Sequence, residues 1–349
     1  MSELIILKPL KVLAIQFKYL GDAVILTPAL KALKTQMPNV ELHVLVAVEV
    51  APLLENLSWI SKVWAMPRQR GQFKLKQSLP FIQALRREKF DRSVDFGGND
   101  RGALLSYLCG AKDRLGFMEP QYKKLMQWLC YTKVVSPQNP NASYYDLHFE
   151  LLRAWNIKRP SQLKIEVGFN DCEVDLASAL VPENIILCHI STSQAKKDWP
   201  ISHWQELYNL ALQERFRLVF SAGPNQREQN LLDQLKSLLP HAETLPSAPS
   251  LRLFLSILKR SKIFISGDTG PLHFASGLGI PILGIFGVGN SIRQVAPIYS
   301  QDELICADNC ACDLIVNNTA VCQSSISCMS RICPEDVFKK LKNIIDDLK

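Results

Sequence analysis

The sequence predicts an α/β protein folded as two doubly wound domains. Three observations carry that prediction. Short apolar, β-branched runs alternate with helix-period segments along the chain, the alternation occurs in two successive blocks, and 349 residues favour two hydrophobic cores over one.

In the first block the strand-like runs are KVLAIQF (11–17), ELHVLVA (41–47), KVWAM (62–66) and DRSVDF (91–96). Helix-period segments lie at 23–36, 77–88 and 99–108. The second block repeats the grammar with NIILCHI (184–190), RLVFSAG (217–223), KIFISGD (262–268) and PILGIF (281–286). Its helical segments lie at 201–213, 225–238 and 250–259. Continuous apolar strands separated by helices indicate parallel sheets covered on both faces. SPQNPNAS (136–143) is a loop, a helix is expected at 144–156, and 156–173 reads as the linker. The domains are therefore placed at 1–165 and 166–349, facing across a cleft at the carboxyl ends of their strands. The second domain ends in a closing helix with Pro334 near its first turn.

Composition narrows the class. At 47% apolar the chain has material for a sizeable core, and a net charge of +7 favours anionic partners. No run of 18 apolar residues is present, so no membrane span is expected. MSELIILKPLKVLAIQF has neither a basic leader nor a small-residue cleavage site, which argues against a signal peptide and for the cytosol. There the ten cysteines would stay reduced. Six of them, Cys306, Cys310, Cys312, Cys322, Cys328 and Cys333, crowd into the segment 306–333. Their spacing contains no CxxC pair, so no metal is assigned; structural thiols, a metal and disulfides all remain open on spacing alone.

Chemistry is expected where strands hand over to helices. In FKYLGDAVILTPAL (17–30), Asp22 follows a glycine between an apolar run and an amphipathic one. It is either a helix cap or, at the rim of a cleft, a carboxylate able to take a proton from a hydroxyl. In ISGDTGPLHFASGLG (265–279), Asp268, Thr269 and Gly270 form a turn and Pro271 suits the first helical position. The N–H groups of such a helix start attract phosphate, and Thr269 and His273 add donors; a plain cap by Asp268 and Thr269 fits equally. CHISTSQAKKDWPISHW (188–204) offers the hydroxyls of Ser191, Thr192 and Ser193, then Lys196 and Lys197. Lys197 could neutralise a diphosphate leaving group, or simply extend into water. The stretch 68–89 carries Arg68, Arg70, Lys74, Lys76, Arg86, Arg87 and Lys89 against Glu88 alone. It suits an anionic acceptor or lipid headgroups as well as plain solvation. Its aromatics are too few for nucleic acid.

Together these stretches resemble glycosyltransferase family 9, the ADP-heptose:lipopolysaccharide heptosyltransferases. The resemblance rests on LGDAVILTPALKALK, FDRSVDFGGNDRGALLS, KDRLGF, KKDWP, DTGPLHFASGLGIPILGIFG and CMSRICPEDV, which occur in the family's order over nearly the whole chain. It implies a GT-B fold of two Rossmann-like domains, acceptor on the first and donor on the second, with inverting chemistry and neither metal nor cofactor. It further implies Asp22 as general base and Lys197 as ligand of the donor phosphates. Ser191, Thr192, Asp268, Thr269, Gly270, Pro271 and His273 would complete the donor site, with Lys18, Arg68, Arg70, Lys74 and Lys76 on the acceptor. The partners implied are ADP-heptose, a lipid-anchored anionic oligosaccharide and the cytoplasmic face of the inner membrane, with no nucleic acid. The family's cysteines in the late segment suggest a structural role. Two stretches depart from the family pattern: HISTS stands where a His-Pro-Gly-like turn is usual, and SAGPNQRE has Gln226 where an acid is expected, with Glu228 as a substitute. Another nucleotide sugar is the alternative they leave open. A nicotinamide enzyme fits less well, because Gly287-x-Gly289 lacks the third glycine of the dinucleotide fingerprint. The remaining alternative is an inactive sugar-nucleotide-binding relative.

Overall fold

The computed structural model describes residues 8–37, 39–67, 75–118, 125–287, 294–296, 298–299, 302–307 and 327–349. The chain divides into two compact units, residues 1–168 and 169–349.

In the first unit, strands β1 (Leu10–Gln16), β2 (Val40–Ala47), β3 (Lys62–Met66), β4 (Arg92–Asp95), β5 (Asp113–Phe117) and β6 (Lys133–Val135) form one sheet. Its order is β3-β2-β1-β4-β5-β6, and every pair is parallel. The helices are α1 (Leu20–Gln36), α2 (Leu75–Arg87), α3 (Asp100–Leu108), α4 (Leu125–Cys130) and α5 (Tyr144–Leu152). Helix α1 starts three residues before the expected position and runs through Pro28. Proline has no N–H to give the Val24 carbonyl; the Thr27 hydroxyl donates to that carbonyl instead, at 2.7 Å. Strands β5 and β6 and helix α4 were not expected from periodicity.

The second unit holds strands β7 (Ile185–His189), β8 (Leu218–Ser221), β9 (Glu243–Thr244), β10 (Ser261–Gly267), β11 (Ile282–Phe286) and β12 (Glu303–Cys306). They are again all parallel, in the order β12-β11-β10-β7-β8-β9. Its helices are α6 (Val174–Leu180), α7 (Ile201–Gln213), α8 (Gln226–Leu238), α9 (Leu251–Lys259), α10 (Gly270–Gly277) and α11 (Pro334–Asp347). The core on one face of this sheet joins Trp199, Trp204, Phe220 and Ile265 to Val337, Leu341 and Ile344, so the closing helix α11 packs onto α7. Helix starts follow local chemistry: the side chains of Asn99, Ser143, Asn225 and Ser250 each accept a first-turn N–H. The segment read as linker is held to the first unit, where the Gly168 N–H donates to the Leu53 carbonyl at 2.7 Å. A Cβ at Gly168 would lie 2.5 Å from the Glu55 carbonyl oxygen, so the close approach requires glycine there.

Among the described residues no helix is long and apolar enough to cross a membrane.

Candidate active site

Numbered from its own first strand, each sheet has the order 3-2-1-4-5-6. The order of strand addition reverses between the parallel strands 1 and 4, and the crevice beyond their carboxyl ends is where open parallel sheets bind ligands. Both junctions singled out in the sequence fall there. Lys18 and Asp22 follow β1, next to β4; residues 191–197 follow β7, next to β10, which leads into Asp268–His273.

In the second unit the loop after β7 is fixed from within. The Thr192 N–H donates to Asp198 Oδ1 at 2.7 Å, and the Thr192 hydroxyl lies 2.9 Å from the same oxygen. Arg227, at the start of α8, donates to Asp198 Oδ2 and to the Thr192 carbonyl. Ser191 is buried and its hydroxyl accepts the Gly223 N–H at 2.9 Å. Ser191 and Thr192 therefore shape this loop through internal bonds. Lys196 is exposed, whereas Lys197 is half-buried and donates to Asp268 Oδ2 at 2.5 Å. The loops approach closely: a Cβ at Gly267 would meet Thr192 Cγ2 at 3.0 Å and the Lys197 carbonyl at 3.2 Å.

The second strand-to-helix turn differs from a plain cap. Thr269 holds the N-cap backbone position of α10 but makes no side-chain capping bond, and the Asp268 carboxylate is turned to Lys197. The start of α10, with Gly270 and Pro271, thus keeps the positive end of its dipole beside an ammonium group. His273 is buried, and among the described residues its Nδ1 has no hydrogen-bond partner. Burial pulls its pKa down to about 4 against the opposing charge of Asp268, so the ring is neutral at pH 7. Of the two residues weighed for the missing acid, Gln226 is exposed and bonded to Asn230, whereas Glu228 is buried. A Cβ at Gly223 would sit 1.8 Å from Glu228 Oε2.

In the first unit Asp22 is the third residue of α1 rather than its cap. One carboxylate oxygen accepts the Tyr19 N–H at 2.8 Å, which fixes the side chain at the helix start. The Lys18 ammonium lies 5.3 Å from the centroid of the Tyr144 ring, and that ring is stacked on His148. His148 is buried, and burial together with the Lys18 charge lowers its pKa to about 3. At the end of β4, Asp95 is fully buried. It accepts from Tyr131 Oη at 2.6 Å and from the Gly97 N–H at 2.8 Å. Desolvation outweighs these bonds and raises its pKa to about 6. Asp95, Tyr131, Tyr144, His148 and Arg227 were not singled out from sequence. FDRSVDFGGND marked the neighbourhood of Asp95 but not its burial.

Arg68, Arg70 and Lys74 lie outside the described residues, and Lys76 lies in α2 without a described side chain. The described remainder of that stretch, Arg86, Arg87 and Lys89, is exposed. In the late segment Cys310, Cys312 and Cys322 lie outside the described residues; Cys306 is exposed at the end of β12, and Cys328 and Cys333 are free thiols.

Two all-parallel, Rossmann-like six-stranded sheets in one chain define the GT-B class of glycosyltransferase. The structure of E. coli ADP-heptose lps heptosyltransferase II has this fold, with a TM-score of 0.76 over 97% of this chain and 99% of that one at 16% identity. The model of Glycosyltransferase family 9 (heptosyltransferase) matches residues 79–321, so the chain belongs to that family and is a glycosyltransferase. Lipopolysaccharide heptosyltransferase 1 of Campylobacter coli is 23% identical over 97% of this chain and all of its own length. Lipopolysaccharide core heptosyltransferase OpsX of Haemophilus influenzae is also 23% identical, over 66% of each chain.

Proposed function

We propose that the protein transfers a heptose from ADP-heptose to a sugar hydroxyl of the lipopolysaccharide inner core, at the cytoplasmic face of the inner membrane. The observation that carries this reading is the Lys197–Asp268 pair beside the start of α10, at the switch point of the second sheet. A diphosphate there meets an ammonium group and a helix dipole together, which stabilises the charge that grows on the leaving group. The ADP-heptose in the name of the E. coli relative and the lipopolysaccharide in those of the others support the donor and acceptor classes.

The reaction is a single inverting displacement without a metal. The acceptor oxygen attacks the anomeric carbon, its proton passes to Asp22, and the bond from that carbon to the diphosphate breaks. Lys197 and the free N–H groups at the start of α10 hold the departing ADP. Lys18, Arg68, Arg70, Lys74 and Lys76 contact anionic groups of the acceptor.

The test is transfer from ADP-, UDP- and GDP-sugars, with calorimetric binding of each, by wild type and by Asp22→Asn. ADP-heptose is expected to be both bound and consumed. Asp22→Asn is expected to keep donor binding and lose about 100-fold or more in kcat. Unchanged transfer by Asp22→Asn ends the general-base assignment, and preference for UDP or GDP ends the donor assignment.

A further inference from the structure

Helix α4 turns most of its apolar side chains outward. Leu125, Met126, Trp128 and Leu129 are 68%, 45%, 65% and 56% exposed, while Gln127 and Cys130 face inward. The inward pair accounts for how the helix is held. Gln127 Nε2 donates to the Gly98 carbonyl at 3.1 Å, and Cys130 packs with Ala103 and Tyr131. Neighbouring α3 adds Tyr107, 52% exposed. Four apolar residues left in water on a helix of six are not a core face, and clustered exposure of this kind marks a docking surface.

Charge says what docks. Residues 1–168 carry 24 Lys and Arg against 14 Asp and Glu, a net +10, whereas residues 169–349 carry 16 against 19, a net −3. The chain's excess positive charge therefore belongs wholly to the unit that bears α4. Cations also fringe the patch itself. Arg114 sits over the Tyr107 ring at 5.5 Å and donates to the Cys130 carbonyl at the end of α4. Lys112, beside it, is exposed, and the Arg86 guanidinium lies next to Gly110 just beyond α3. A second copy of this unit would bring like charge to the same face. An anionic bilayer satisfies both features: apolar side chains and the amphipathic Trp128 enter the headgroup boundary while arginine and lysine meet lipid phosphates.

We infer that the outer face of α4, with the cations around it, is the surface by which this glycosyltransferase docks on an anionic membrane. The inference rests on the proposed function only in that a lipid-linked acceptor gives the docking its purpose. Because α4 carries none of the residues assigned to transfer, surface and chemistry can fail separately.

The test uses the full chain and sucrose-loaded vesicles of phosphatidylethanolamine doped with phosphatidylglycerol, with neutral phosphatidylcholine vesicles as the comparison. Wild type is expected to sediment with the anionic vesicles and to be released by salt. Leu125→Ser/Leu129→Ser is expected to lose about 100-fold in partitioning, roughly tenfold for each side chain no longer taken out of water, with unchanged circular dichroism. Trp128→Ser is the second variant should the first misfold, with about tenfold expected. Three results overturn the inference: no binding to anionic vesicles, equal binding by folded variants, or a wild-type dimer that the variants dissolve. Transfer to a short lipid-free acceptor, run in parallel, is expected to be the same in wild type and variants; its absence from wild type counts against the proposed function and not against the docking surface.

Discussion

Lys197 Nζ lies 2.5 Å from Asp268 Oδ2, tying the loop after β7 to the turn after β10. The two side chains are 30% and 11% exposed, so water screens the pair only in part. The carboxylate holds the ammonium at the helix start, and a diphosphate with its larger negative charge competes for it. Lys197→Ala is therefore expected to weaken ADP binding and to lower kcat/KM about 100-fold, with partial recovery in Lys197→Arg. Calorimetry with ADP and a transfer assay read the two effects. Equal ADP affinity in wild type and Lys197→Ala would remove the lysine from the donor site.

The Thr27 hydroxyl serves two backbone groups at once. It donates to the Val24 carbonyl that Pro28 cannot reach, and it accepts the Glu166 N–H at 3.0 Å. Thr27→Val leaves both without that partner in a buried setting and is expected to cost about 2–3 kcal/mol in urea unfolding. In a Pro28→Ala background residue 28 regains its N–H for Val24, so the same substitution should cost about half as much. Strict additivity of the two changes would contradict this assignment.

Asp95 leaves no room for a side chain on the first turn of α3. A Cβ at Gly102 would lie 2.3–2.4 Å from its carboxylate atoms, and Tyr131 and Gly97 hold that carboxylate in place. Gly102→Ala is expected to destabilise the protein by about 1–3 kcal/mol through overpacking, in spite of alanine's better helix propensity. An unchanged or higher urea midpoint would show that the carboxylate can move aside.

The parts of the fold that sequence made visible are those whose side chains are buried on both faces. β1, β2, β7, β10 and β11 are nearly continuous apolar runs because helices cover both sides of the sheets. DRLGF, KVV, ET and ELIC, which form β5, β6, β9 and β12, lie at or next to sheet edges and carry no such run; backbone pairing to a neighbour makes them strands. Asp22, Lys197 and Asp268 stood out in the sequence because each is a charge at or near the passage from an apolar strand to the helix that follows it. Asp95 and Arg227 were not. Asp95 gets its partner Tyr131 from 36 residues away, and Arg227 reaches Asp198 across 29, so their environments exist only once the chain is folded.

Buried imidazoles set the acid sensitivity of the fold. Burial lowers the pKa of His43, and lowers those of His148, His189 and His273 to about 3, 4 and 4. An unfolded histidine takes up its proton near pH 6.5, so below that pH the unfolded chain binds protons the folded one refuses. Stability is then lost as pH falls from about 6.5 towards 4. Asp95 and Asp302 act in the opposite sense: burial raises both to about 6, so between about 6 and 4 the folded state binds their protons first and gains stability. Glu228 is raised by burial as well, so four imidazoles stand against three carboxyls; the histidine sign stays in control over that range, and between 6.5 and 6 the histidines act nearly alone. The urea midpoint is accordingly expected to fall steadily from pH 7 to pH 4.5, and His189→Asn, which cannot take up a proton, to make the fall shallower. A midpoint that stays level or rises over this range would mean that these rings are charged in the folded protein or that the carboxyls prevail.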